Sequence, residues 1–128
     1  MPIAYWCVLI AALLPFGFTG IAKSLGRRTF NNYTPREFQS RLTGAAARAH
    51  WAHLNSFEAF PPFAAGVLIA ASMHVAQGRT DMLAIAFVVL RIAYGVCYIA
   101  DIAMVRSIVW ALALFCTIGL FLSAAGVL

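Results

Sequence analysis

The sequence predicts an all-α membrane protein, one domain over residues 1–128 built as a bundle of four transmembrane helices, on three observations. First, 63% of the 128 residues are apolar and only 10% are charged, which leaves too little polar surface to cover a soluble core. Second, the apolar residues fall in four runs, each approaching the ~20 residues that a helix needs to cross hydrocarbon. Third, the basic residues gather between runs rather than within them. A barrel is excluded, because these runs do not alternate as lipid-facing strands must.

The first run, Pro2 to Ala22, has no Lys or Arg ahead of it. A secretory signal carries a positive leader and a shorter apolar core, so this run reads as a retained first span. The connection that follows has a turn signal, Asn31-Asn32-Tyr33-Thr34, and then a helix start, Thr34-Pro35-Arg36-Glu37. Thr34 suits the cap, Pro35 the first helical position, and Glu37 the far side of a capping box. No breaker stronger than Gly44 intervenes before Pro61-Pro62, so the second helix is expected to start near Pro35 and run into the membrane. Its apolar part is Ala59 to Ala76, and the double proline is expected to kink it. The third run, Met82 to Ala100, is interrupted only by Arg91, and the fourth is Ser107 to Leu128.

Charge orients these spans. The first connection holds Lys23, Arg27, Arg28, Arg36, Arg41 and Arg48 against Glu37 alone. The second, Gln77 to Asp81, is short and nearly neutral, and the third is marked by Asp101 and Arg106. The positive-inside rule then places the first and third connections in the cytoplasm, with both termini outside and a bacterial inner membrane as the expected site. The same rule accounts for the net charge of +5 without nucleic acid as a partner.

Several residue types carry no chemistry on this reading. Cys7, Cys97 and Cys116 sit singly in apolar runs, where a free thiol acts as a small hydrophobe, and their odd number gives no disulfide framework. His50 and His53 have a metal-compatible spacing but only Glu58 as a third ligand, so no metal site is expected. His74 stands alone. Trp6, Trp51 and Trp110 fall near span ends, as belt residues do. No phosphate loop, nucleophile elbow or zinc-protease motif occurs.

Polar residues inside the spans are the informative ones, since leaving them in lipid costs several kcal/mol. On the second helix Arg48, Asn55 and Glu58 recur at spacings of seven and three, which puts them on one face. On the third, Arg91, Tyr94, Tyr98 and Asp101 recur at three, four and three, with Arg106 just beyond the helix end. Two readings stand. These groups glue helices together, with Glu58 paired to Arg91 and Asn55 bonded to a neighbouring backbone. Alternatively the two stripes converge to line an anion-binding cleft open to the cytoplasm, in which arginine forks meet carboxylates and tyrosines supply hydroxyls and apolar walls.

The segment Arg48-Ala49-His50-Trp51-Ala52-His53-Leu54-Asn55-Ser56-Phe57-Glu58-Ala59-Phe60-Pro61 resembles the second-helix signature of the MAPEG family, membrane-associated proteins in eicosanoid and glutathione metabolism. The third span, with Arg91, Tyr94, Tyr98 and then Arg106, is similar to that family too, as are the length, the basic first connection and the four spans. The resemblance covers essentially the whole chain. It implies a homotrimer with glutathione as co-substrate, held between subunits near the cytoplasmic side. It further implies that Arg48, Asn55, Glu58, Tyr94 and Tyr98 bind glutathione, with Arg91 and His53 in the same set. Here His53 replaces a common glutamine. Arg106 corresponds to the arginine that holds the sulfur as thiolate. Trp51 stands where glutathione-using members commonly have arginine, and Ala59 where several have tyrosine. The function implied is a glutathione transferase or peroxidase acting on small lipophilic electrophiles drawn from the bilayer. A non-catalytic member that binds an anionic thiol or lipid, and a small multidrug exporter, are the alternatives.

Overall fold

The computed structural model describes residues 1–128 and consists of helices and turns alone. Four helices are long and apolar enough to cross a membrane: α1 (Ile3–Leu25), α3 (Gly44–Ser72), α4 (Gln77–Ile99) and α5 (Ala103–Ala124). A short helix α2 (Pro35–Ser40) and a 3₁₀ turn (Arg27–Thr29) lie in the first connection. The expected four-helix bundle is present. Only 28 of the 128 residues are buried, so most apolar side chains face outward, as they must where the solvent is lipid.

The second helix differs from expectation. It does not run on from Pro35, because α2 stops at Ser40 and α3 starts afresh at Gly44. Gly44 has φ of +59°, a left-handed conformation that glycine adopts without the cost other residues meet. Pro35 does take the first helical position, but the capping box does not form. The Thr34 side chain makes no cap bond, and Glu37 turns along the helix to pair with Arg41 one turn on. The turn before it forms as read, with Asn31 Oδ1 accepting from the Tyr33 N–H at 2.9 Å. Beyond Gly44, α3 is unbroken through Pro61 and Pro62, although their missing N–H groups leave the Phe57 and Glu58 carbonyls without their usual partners.

Helices α4 and α5 also begin earlier than hydropathy suggests, because polar first turns are legitimate helix. Asp81 explains the start of α4: its Oδ1 accepts from the Gln77 side chain at 2.7 Å and from the Ala4 N–H at 2.8 Å. One carboxylate thus caps α1, where the helix dipole favours an anion, and pins α1 to the first turn of α4. At the other end of α4 the N–H groups of Asp101 and Ile102 return to the carbonyls of Tyr98 and Cys97, with Asp101 in the left-handed region at φ +62°. His74 closes α3 in the same way at φ +55°. Arg106 consequently lies in the first turn of α5 rather than trailing from α4.

Packing divides the bundle along its length. Toward the end that holds both termini, a continuous core joins Ala4, Cys7 and Ala11 of α1, Phe63, Val67 and Ala70 of α3, Ala84, Phe87 and Val88 of α4, and Ala113 and Leu120 of α5. Phe63 and Phe87 stack face to face at 3.8 Å. Toward the other end the buried apolar cluster shrinks to Phe18, Ala52 and Tyr94. Gly95 makes that cluster possible, since a Cβ there would stand 2.0 Å from the Phe18 ring. Between the two clusters lies Arg91.

Candidate functional site

Arg91 is the largest fully buried side chain in the protein, 2% exposed, in the middle of α4. An ionised group at that depth must be bonded to remain. One terminal nitrogen donates to Asn55 Oδ1 of α3 at 2.8 Å and lies 3.4 Å from the buried Ser56 hydroxyl. The guanidinium plane sits over the Tyr94 ring, 4.2 Å from its centre. Asn55 in turn donates through Nδ2 to Glu58 Oε2 at 3.1 Å. The anticipated direct Glu58–Arg91 ion pair and Asn55–backbone bond do not form. Asn55 instead relays between base and acid, because its amide offers both an acceptor and a donor. Ser56 is held by its own helix, donating to the Ala52 carbonyl at 2.8 Å.

The tyrosine stripe continues the polar layer toward the end of the bundle that carries the first and third connections. Tyr94 and Tyr98 meet edge to face at 5.6 Å, as residues four apart on a helix do. Arg106 reaches across from α5 and lies over Tyr98, 4.4 Å from the ring centre. It has no carboxylate partner, the one side-chain ion pair in the chain being that of Arg41 and Glu37. Arg48 ties the same end together, its Nε donating to the Ile99 carbonyl at 3.1 Å near the terminus of α4. A cation there meets the negative end of the helix dipole, and the other nitrogens of its fork stay available.

Two hollows open on this layer. One, of about 170 Å³, lies between α3, α4 and α5, with Asn55, Glu58 and Arg91 on its polar side and Pro62, Phe87 and Leu114 on its apolar side. The other, a shallower recess of about 410 Å³, is bounded by Tyr94, Tyr98, Arg106 and Ser107. Trp110 belongs to both walls. It was expected to be a belt residue. Its position one turn after Arg106, with Thr117 two turns further along the same cavity-facing side, was the signal in the sequence.

Of the anticipated site residues, Asn55, Glu58, Arg91, Tyr94, Tyr98 and Arg106 are therefore gathered in one layer, with Arg48 at its edge. His53 is not among them. It faces α1, where its Nδ1 lies 2.7 Å from the Pro15 carbonyl, and it stacks with His50 at 5.8 Å. Trp51, beside the layer, tilts against Tyr98 at 6.1 Å.

The MAPEG family model matches residues 3–126. The chain belongs to the MAPEG family. This is a family of glutathione-related membrane proteins, and the match spans all four long helices together with the polar layer. No curated protein and no solved structure is a match for the chain. The resemblance drawn from the second-helix segment is thus borne out over nearly the whole sequence. In this MAPEG protein the layer carries guanidinium groups at Arg48, Arg91 and Arg106 and one carboxylate at Glu58, a set suited to a small anion that also bears a cationic group.

Proposed function

We propose that this protein conjugates glutathione to lipophilic electrophiles or uses it to reduce lipid hydroperoxides. The observation that carries the reading is the Arg106 guanidinium, stacked on Tyr98 at an open recess with no acid to neutralise it. A free thiol near pKa ~8.5 is mostly protonated at neutral pH, and a neighbouring guanidinium favours the nucleophilic anion. Tyr98 holds the guanidinium plane in place, so its donors are aimed before substrate arrives. In conjugation the thiol gives its proton to water and the sulfur forms a bond to the electrophilic carbon as the leaving group departs. In the peroxidase variant two thiols supply two electrons and two protons, and the products are a disulfide, an alcohol and water.

Assembly belongs to the same proposal. Glu58 and Trp110 are exposed on the flank of a single bundle, and a carboxylate facing lipid is costly. A second copy packed there would cover the acid and complete the cleft, which supports a homotrimer with glutathione held between subunits. The excess of cations in the first connection supports an orientation with that connection in the cytoplasm and both termini outside. Family membership favours this reading over a small exporter.

A second reading is favoured by Trp51 and Ala59. The first sets an indole against Tyr98, and the second leaves a methyl in the wall beside Glu58, where further polar groups would strengthen a hold on glutathione. Loss of one charged hydrogen bond weakens binding by about 1.5–3 kcal/mol, enough to leave a member that binds a small anionic thiol or lipid without turnover. Calorimetry of the detergent-solubilised protein with reduced glutathione separates the two. Binding in the micromolar to low-millimolar range, with turnover of a lipophilic aryl halide, supports the enzyme. No heat at saturation overturns it in favour of the second reading.

A further inference from the structure

We infer that the connection between α1 and α3 is a docking surface for anionic phospholipid headgroups. Six cations lie between Lys23 and Arg48, and the one acid among them, Glu37, is already held by Arg41. Arg27, Arg28 and Arg36 are exposed, which leaves three unneutralised guanidinium groups on one short stretch. Apolar side chains lie among them: Leu25, Phe30 and Tyr33 are also exposed, Tyr33 at 97%.

The segment holds its shape rather than trailing as a solvated loop. Phe38 of α2 is buried and meets Phe30 edge to face at 5.2 Å, Lys23 lies 5.6 Å from the centre of the Phe30 ring, and the Gln39 side chain donates to the Thr19 hydroxyl of α1. The backbone that carries the exposed arginines is thereby anchored to α1 and α2.

The segment begins at Leu25, the end of a membrane-crossing helix, which holds its start at the level of the headgroups. That constraint, joined to the mixture of guanidinium and aromatic groups, selects the occupant. Arginine forks match phosphate oxygens, while exposed phenyl and phenol rings favour the layer between headgroup and acyl chain. A soluble phosphate would satisfy the cations alone, and an acidic protein would leave the aromatics to displace lipid.

The test uses the intact protein in nanodiscs of phosphatidylcholine or of an equimolar mixture with phosphatidylglycerol. The thermal midpoint is expected to be higher in the anionic discs, and the gain should fall as salt rises. In detergent, titration with fluorescent phosphatidylglycerol is expected to be roughly a hundredfold weaker for the combined Arg27→Gln, Arg28→Gln, Arg36→Gln variant, taking about 1 kcal/mol for each cation near an anionic surface. Should that variant not fold, Arg28→Gln alone is expected to weaken the titration about fivefold. Equal midpoints in the two discs, a gain indifferent to salt, or unchanged titration by the variants would overturn the inference. So would inorganic phosphate or soluble polyglutamate reproducing the gain, the first indicating a free-anion site and the second an acidic protein partner. Glutathione binding plays no part in the readout, so the outcome is independent of the proposed activity.

Discussion

The two halves of the bundle are held by different forces. Around Phe63 and Phe87 the core mixes alanines with larger apolar side chains, and the buried hydroxyls of Thr80 and Ser123 in the same half have no partners. Around Arg91 and Tyr94 the buried apolar residues are few, and hydrogen bonds and cation–ring contacts join α3, α4 and α5. Lipid is as apolar as leucine, so neither half is driven together by the hydrophobic effect. The first half coheres because small residues let helices approach closely. The second coheres because its polar groups have no other partners in hydrocarbon. Only the second has a guanidinium without an acid partner at an open recess, that of Arg106, which is why the candidate site lies there.

The largest effect expected from separating the halves is at Arg106. If it stabilises the thiolate, Arg106→Ala should lower turnover by about two to three orders of magnitude, as removal of one preorganised donor does. Glutathione binding should largely survive, because the contact strengthens only as charge develops on sulfur. Arg106→Lys should recover part, since a point charge lacks the planar fork. The ultraviolet absorbance of bound thiolate against pH is the decisive measurement. If both variants titrate bound glutathione like the wild type, Arg106 is an anchor and the polar half is glue alone.

Phe63→Ala probes the other half. A soluble core loses about 3–5 kcal/mol on such a truncation, but here the transfer contribution nearly vanishes, because the unfolded reference also sits in lipid. The cavity and the lost stacking on Phe87 remain, and a cost of about 2 kcal/mol is expected, read as a lower thermal midpoint in detergent. Glutathione affinity should not change. A shift in affinity as large as the shift in stability would show that the halves are coupled and the division is wrong.

Sequence exposed the division unevenly. The spans were legible because hydropathy needs only composition, and the polar stripes because residues three, four and seven apart must share a helix face. Which stripe residues meet across helices was not legible, since that depends on how each helix is rotated about its axis. Hence spacing allows a direct Glu58–Arg91 pair where the structure has the Asn55 relay, and His53, only two residues before Asn55, faces α1 instead. The stop after α2 is not legible, because composition shows a glycine at position 44 but not its left-handed φ of +59°, which separates α3 from α2. Asp81 reads in sequence as part of a nearly neutral turn, because a cap supplied to another helix leaves no local pattern.

Gly95→Ala acts at the seam between the halves. The added methyl would overlap the Phe18 ring, and Phe18 is buried, so α1 must give way from α4. Overpacking of this kind costs about 1–3 kcal/mol. Because Tyr94 is the neighbour of Gly95 and packs in the same cluster, glutathione binding should weaken along with stability. The parallel loss, by calorimetry and thermal melting of one preparation, distinguishes this position from Phe63.

The smallest effect expected is a gain. Asp101 closes α4 with φ of +62°, a conformation that costs a residue with a Cβ about 1 kcal/mol and glycine nearly nothing. Its side chain is exposed and takes part in no ion pair, although its spacing after Tyr98 put it on the polar stripe. If the only role of Asp101 is to end the helix, Asp101→Gly should raise the thermal midpoint slightly, with the entropy of the unfolded chain offsetting part of the gain. Glutathione binding and turnover should stay as they were. If the carboxylate instead steadies Arg106, five residues on, activity should fall while stability rises. The Tyr98–Arg106 stack argues for the first outcome, since the guanidinium is already held by a ring and needs no acid to fix its plane.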